Sequence, residues 1–221
     1  MKSALFTFHF SLMSSGNNSF AALRRFVRKR APVEVCEMCS HVLAAEHQHL
    51  IEPSTRKLTC ACDPCALLFS SDGETRFRRV PRRIRFLPDF RMTDAQWGAL
   101  LIPINMAFFF FSSPEGKVIA LYPSPAGATE SLLELGAWEE IVEENPILKR
   151  MEADVEALLV DRVSRGEGRS EGEYYLVPID VCYKLVGLIR AHWRGLSGGS
   201  AVWEELAEFF ADLKRRSVST N

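Results

Sequence analysis

No stretch of this sequence approaches the roughly 18 consecutive apolar residues that a membrane-spanning helix needs, so no segment reads as a transmembrane span. Nor is charge of one sign in excess. The chain holds 27 Lys and Arg against 28 Asp and Glu, a formal net charge of −1, too small for its overall field to announce a polyanionic partner. There is no internal repeat. Cysteine is scarce, with 6 residues in 221, and five of them lie between positions 36 and 65. A disulfide scaffold spreads its cysteines along a short secreted chain, so clustering excludes that class and points to a reducing compartment, the cytoplasm. The remaining composition, 47% hydrophobic and 25% charged, is that of a globular protein able to bury a core without cross-links.

The neutral total hides an uneven spread. Residues 1–92 carry 15 Lys and Arg and 8 Asp and Glu, and residues 93–221 carry 12 and 20, balances of +7 and −8 that sum to −1. Such a split either faces an anionic partner or draws the two halves together, and the second is the ordinary outcome.

Pattern along the chain gives an α+β protein. Residues 1–19 lack the periodicity of a packed element and are expected to form a disordered extension. Residues 20–33 read as a basic amphipathic helix with Phe20, Leu23, Phe26 and Val27 on one face and Arg24, Arg25, Arg28, Lys29 and Arg30 elsewhere, stopped by Pro32. Residues 34–92 hold a metal-binding module and a basic hairpin, the runs 76–78 and 84–86 alternating Arg with apolar residues around Val80 and Pro81. Residues 93–221 form an α+β domain in which a mostly antiparallel sheet packs with helices. Thr93 should cap a helix through Leu101. Four consecutive phenylalanines, Phe108 to Phe111, should form a strand buried on both faces, returning over 117–122 as a hairpin. Residues 123–127 should be a loop, 131–135 and 137–144 helical, and 156–162 and 173–178 strands. Asp180 should cap a helix over 181–193, with Cys182 in its apolar face, and a last amphipathic helix should occupy 201–215.

The chemistry is concentrated in Cys36-Glu37-Met38-Cys39, Glu46-His47-Gln48-His49 and Cys60-Ala61-Cys62-Asp63-Pro64-Cys65. A two-residue gap lets both sulfurs of a tight turn reach one tetrahedral ion at about 2.3 Å. The pairs Cys36/Cys39 and Cys62/Cys65 can therefore close a four-sulfur zinc site with no open position. Between them, residues 49–52 and 57–60 can pair as a hairpin around Pro53-Ser54-Thr55, and Pro64 suits the first turn of a following helix. Knuckle, hairpin, helix is the order of treble-clef zinc modules, which this stretch resembles. Donors are in surplus: Cys60, His49 and His47 are further candidate ligands. Cys60 could replace Cys62, His49 could replace a cysteine, or a second ion could bind. Four thiolates would also accept an iron–sulfur cluster, but the knuckle-and-hairpin setting favours zinc.

No catalytic set can be completed. Glu46-His47-Gln48-His49 between two cysteine pairs resembles the histidine–asparagine–histidine nucleases, but residues 61–100 contain neither Asn nor His to hold a catalytic metal. Residues 122–131 could present backbone N–H groups to an anion, yet they lack the Lys of a P-loop.

Taken together, residues 20–26, 60–69, 122–131, 155–160, 177–186 and 192–199 resemble one family of uncharacterised bacterial proteins associated with nickel–iron hydrogenase gene clusters. The likeness runs from about residue 20 to the C-terminus. It carries over a cysteine-rich motif, at Cys36, Cys39, Cys60, Cys62 and Cys65 with His47 and His49 as its histidines, and it carries no activity. The resemblance implies a non-catalytic, zinc-binding accessory or assembly protein of a nickel–iron hydrogenase system, working through a protein partner such as a hydrogenase subunit or maturation factor. A zinc-dependent nucleic-acid-binding regulator using the arginines from Arg76 to Arg91, and an iron electron carrier, are the alternatives.

Overall fold

The turn Glu52-Pro53-Ser54-Thr55-Arg56 folds the chain back on itself, with Thr55 and Arg56 N–H groups donating to the Glu52 carbonyl and Arg56 in the left-handed region at φ 56°. It joins β1 (Gln48–Glu52) to β2 (Lys57–Ala61), which pair antiparallel with His49 opposite Cys60 and Leu50 opposite Thr59. The computed structural model describes residues 33–70, 76–131, 136–163, 172–195 and 198–220. The expected extension over 1–19 and, Val33 apart, the basic helix over 20–33 lie outside them.

Helix α1 (Asp63–Phe69) follows β2 directly, with Pro64 in its first turn, where a missing N–H costs nothing. Strand β3 (Arg78–Arg79) pairs with β1 and completes a three-stranded sheet in the order β2-β1-β3. The second arginine run, β4 (Arg85–Phe86), belongs to a different sheet. The two runs therefore do not form the expected basic hairpin with each other. Pro81 between them supplies no N–H, and the chain crosses from one sheet to the next there.

Thr93 caps α2 (Asp94–Ala99) in a reciprocal box: its hydroxyl accepts from the Gln96 N–H while the Gln96 side chain accepts from the Thr93 N–H. The phenylalanine strand β5 (Met106–Ser112) pairs antiparallel with β6 (Lys117–Ser124), and β6 with the edge strand β7 (Gly127–Glu130). Residues 123–127 are thus not the extended loop expected. They are the end of one strand and a tight turn at Pro125-Ala126, held by the Ser124 hydroxyl, which donates to the Gly127 carbonyl and accepts from the Ala126 N–H. Helix α3 (Gly136–Glu144) and a 3-10 turn (Pro146–Arg150) lead to β8 (Glu156–Asp161). Of the expected helix over 131–135, only Ser131 is described, and it is not helical. Strand β9 (Glu173–Pro178) runs straight into α4 (Ile179–His192), then α5 (Ser200–Arg216) and β10 (Val218–Ser219). The large sheet has the order β10-β4-β9-β8-β5-β6-β7, all antiparallel except the β10–β4 pair.

This mostly antiparallel α+β sheet is covered on both faces. Side chains alternate across a strand, so Met106, Phe108 and Phe110 join the core under α4 and α5, with Leu185, Ile189, Leu206 and Phe210. Ala107 and Phe109 join the opposite core with Trp97, Trp138 and Ile141, Phe109 stacking on Trp138 at 5.0 Å between centroids. Phe108, Phe109 and Phe110 are buried as expected. Phe111, at the strand's outer end, is 38% exposed. Cys182 is fully buried in the α4 face, as expected.

The basic and acidic halves meet. Arg78 pairs with Asp154 at 3.0 Å, Arg83 with Glu152 and with Glu156 at 2.8 Å, and Arg85 with Glu156 at 3.0 Å. Glu156 is fully buried, and burial pushes its carboxyl up. The Arg83 and Arg85 guanidiniums and the Glu152 N–H outweigh that and hold it below the ordinary carboxylate value. Arg76 is taken by Glu52 at 2.5 Å. Of these, Arg78 in β3 ties the small sheet to the segment that leads into β8.

Candidate metal centre

The first cysteine pair sits in a loop closed by backbone. Val35 and Val42 bridge, the Cys36 N–H donates to the His41 carbonyl, and the Ser40 N–H donates to the Cys36 carbonyl, with Ser40 in the left-handed region at φ 61°. That turn swings the Cys39 sulfur back beside Cys36. The second pair comes from the junction of β2 and α1: Cys62 precedes the helix and Cys65 lies in its first turn. Glu37 docks one on the other, its N–H donating to the Cys60 carbonyl and its carboxylate accepting from the Cys60 N–H at 2.9 Å. Gln48 adds a second clamp, donating to Asp63 at 2.8 Å and accepting from Arg79 at 3.2 Å.

The result brings the sulfurs of Cys36, Cys39, Cys62 and Cys65 within 4.8 Å of one another, with Cys39 and Cys62 at 3.6 Å. This group can hold a metal ion. Its electrostatics suit a cation. Burial pushes the Cys36 thiol up, but the backbone N–H groups of Cys62, Cys39 and Met38 overcome that and bring it down to about 6. Cys65 is pushed the other way, to about 12, chiefly by its hydrogen bond with Cys62. Cys36 thus forms a thiolate readily while Cys65 resists, because the crowded thiols share hydrogen bonds. The packing also calls for an ion. Among the described residues, the fully buried apolar ones beneath the site are Cys36, Leu50, Ala61 and Ala66, with Met38, Leu43 and Phe77 partly buried against them, a small core to fix a sheet and helix unaided.

The surplus donors do not enter this group. His47, His49 and Cys60 form a separate one, in which a ring nitrogen of each histidine and the Cys60 sulfur all lie within 4.8 Å of one another. The register of the hairpin explains the split. His49 faces Cys60 across the ladder, and His47 lies two residues before His49, on the same side of the sheet. Gln48, Leu50 and Ala61 point to the other face, where Leu50 and Ala61 join the cysteine module's core. Sequence reasoning missed Asp180. It does not cap α4, which has no side-chain cap at its N-terminus. Its Oδ2 instead sits 2.7 Å from His49 Nδ1, while Oδ1 accepts from the Val181 N–H. No local signal links positions 131 residues apart. The grouping of His47, His49 and Cys60, by contrast, was available from strand parity once the hairpin turn was placed.

The profile of a Family of unknown function (DUF5947) matches residues 35–217. The chain belongs to that family. The match covers both candidate metal groups and every strand of the large sheet except β10. No curated protein and no solved structure matches the chain. Among the described residues, no helix is long and apolar enough to cross a membrane.

Proposed function

We propose that this DUF5947 protein holds a structural zinc ion at Cys36, Cys39, Cys62 and Cys65 in a treble-clef-like module, and acts without catalysis as an accessory or assembly protein of a nickel–iron hydrogenase system in the cytoplasm. The observation that carries the zinc assignment is the closed donor set. Four sulfurs satisfy a tetrahedral ion and leave no position for a substrate, the arrangement of structural rather than catalytic zinc. Around it the module exposes Val35, Val42 and Leu67, apolar side chains that suit a protein partner. The hydrogenase assignment rests on the sequence resemblance.

Four of the arginines between Arg76 and Arg85 weigh against the nucleic-acid reading, because Arg76, Arg78, Arg83 and Arg85 are engaged by carboxylates of the same chain. Phosphate recognition needs such side chains unspent. The test is affinity purification from the native host of the tagged wild-type chain and of Leu67→Glu. Enrichment of a hydrogenase subunit or maturation factor with the wild type, and its loss with the variant, is the expected result. Co-purification of nucleic acid without any hydrogenase protein contradicts the reading.

A further inference from the structure

The orphaned nitrogen of His47 marks a second site. Its Nδ1 lies 3.0 Å from the Ala44 carbonyl and 3.5 Å from the Glu34 carboxylate, both of which can only accept, so Nδ1 carries a proton and in the neutral ring Nε2 carries the lone pair. The side chain is 7% exposed, and Nε2 is buried with no hydrogen-bond partner. A buried lone pair with nothing to accept from is costly unless an electrophile fills the gap. His49, 29% exposed, donates its Nδ1–H to the Asp180 carboxylate 2.7 Å away, which leaves Nε2 as the nitrogen able to coordinate. A histidine that gives one ring N–H to a carbonyl or carboxylate and turns its other nitrogen inward has the outer-shell arrangement of a metal ligand. The two rings meet edge to face at 4.8 Å, and Cys60 stands opposite His49 in the ladder.

We propose that His47, His49 and Cys60 bind a second, zinc-class divalent transition ion, separate from the four-cysteine site, with Asp180 and the Ala44 carbonyl fixing the two imidazoles. Two imidazoles and a thiolate match the donor preferences of such an ion. Bond lengths of about 2.0 Å to nitrogen and 2.3 Å to sulfur place tetrahedral donors about 3.3–3.6 Å apart, so the three donors, now within 4.8 Å of one another, draw closer together on binding. Three protein donors leave the fourth position to water or an incoming ligand, unlike the closed sulfur site. Because Asp180 opens α4, the ion would also fasten the hairpin to the large sheet. The inference is independent of the hydrogenase reading.

The test is metal stoichiometry of the full chain, stripped by chelation under reducing conditions and reloaded with zinc. The wild type should retain two equivalents, and Cys60→Ser and His47→Ala one each. X-ray absorption at the zinc edge of the wild type should show imidazole nitrogen as well as sulfur. A single equivalent in the wild type, two retained in both variants, or an all-sulfur shell overturns the proposal. If Cys60→Ser loses both ions by unfolding, His47→Ala and the wild-type spectrum decide between the same outcomes.

Discussion

Replacing Phe109 with alanine opens a cavity in the core on one face of the large sheet and leaves the other face intact. The ring is fully buried and stacks on Trp138 in the core that also holds Leu158 and Ile141. Losing a buried phenylalanine costs about 3–5 kcal/mol. For a chain of this size each kcal/mol lowers the melting temperature by about 2–4 °C, so the fall should be about 6–20 °C. Phe110→Ala should cost a similar amount through the opposite core, where the ring is 2% exposed and lies under the Arg56 guanidinium, 5.7 Å from the centroid. Phe111→Ala should cost under about 1.5 kcal/mol, since its ring is already 38% exposed. The assay is urea denaturation of the three variants with metal content matched to the wild type, read at constant m-value. A tolerated Phe109→Ala, or a Phe111→Ala as damaging as Phe110→Ala, would refute a sheet covered on both faces with its open end at Phe111.

Glu156→Gln should destabilise the chain by about 3 kcal/mol at neutral pH, because it leaves Arg83 and Arg85 facing a neutral, buried amide. The native carboxyl titrates below its ordinary value of 4.5, so its stabilisation is complete above that value and disappears as pH falls through the lowered one. The variant's stability should therefore decline less steeply than the wild type's below pH 4.5, and parallel acid limbs in the two denaturation series would contradict the assignment. Thr93→Ala removes one half of the capping box on α2 and should cost about 1 kcal/mol, measured by the same denaturation; no change would mean that the cap is not formed in solution.

Local chemistry is what made parts of this fold readable. Cys36/Cys39 and Cys62/Cys65 fixed the metal group by spacing, Pro64 marked the start of α1, Thr93 and Gln96 spelled out a cap, and three adjacent phenylalanines needed two covered faces. The failures involve non-local partners. Strands of two residues, such as Arg78–Arg79, Arg85–Phe86 and Val218–Ser219, carry no periodicity that assigns them to one sheet or another. Arg78 and Arg85 are instead held by distant carboxylates at Asp154 and Glu156. Asp180 looked like a cap because an acid before an apolar helix usually is one, but His49, brought by the small sheet, competes for the same oxygens.

The central claim is that Cys36, Cys39, Cys62 and Cys65 hold one structural zinc ion. It is tested most directly in the Cys60→Ser variant, where the second group is disabled, by elemental analysis together with X-ray absorption at the metal edge. One zinc per chain with four sulfurs at about 2.3 Å is the predicted result; iron, no metal, or nitrogen in the first coordination shell would contradict it.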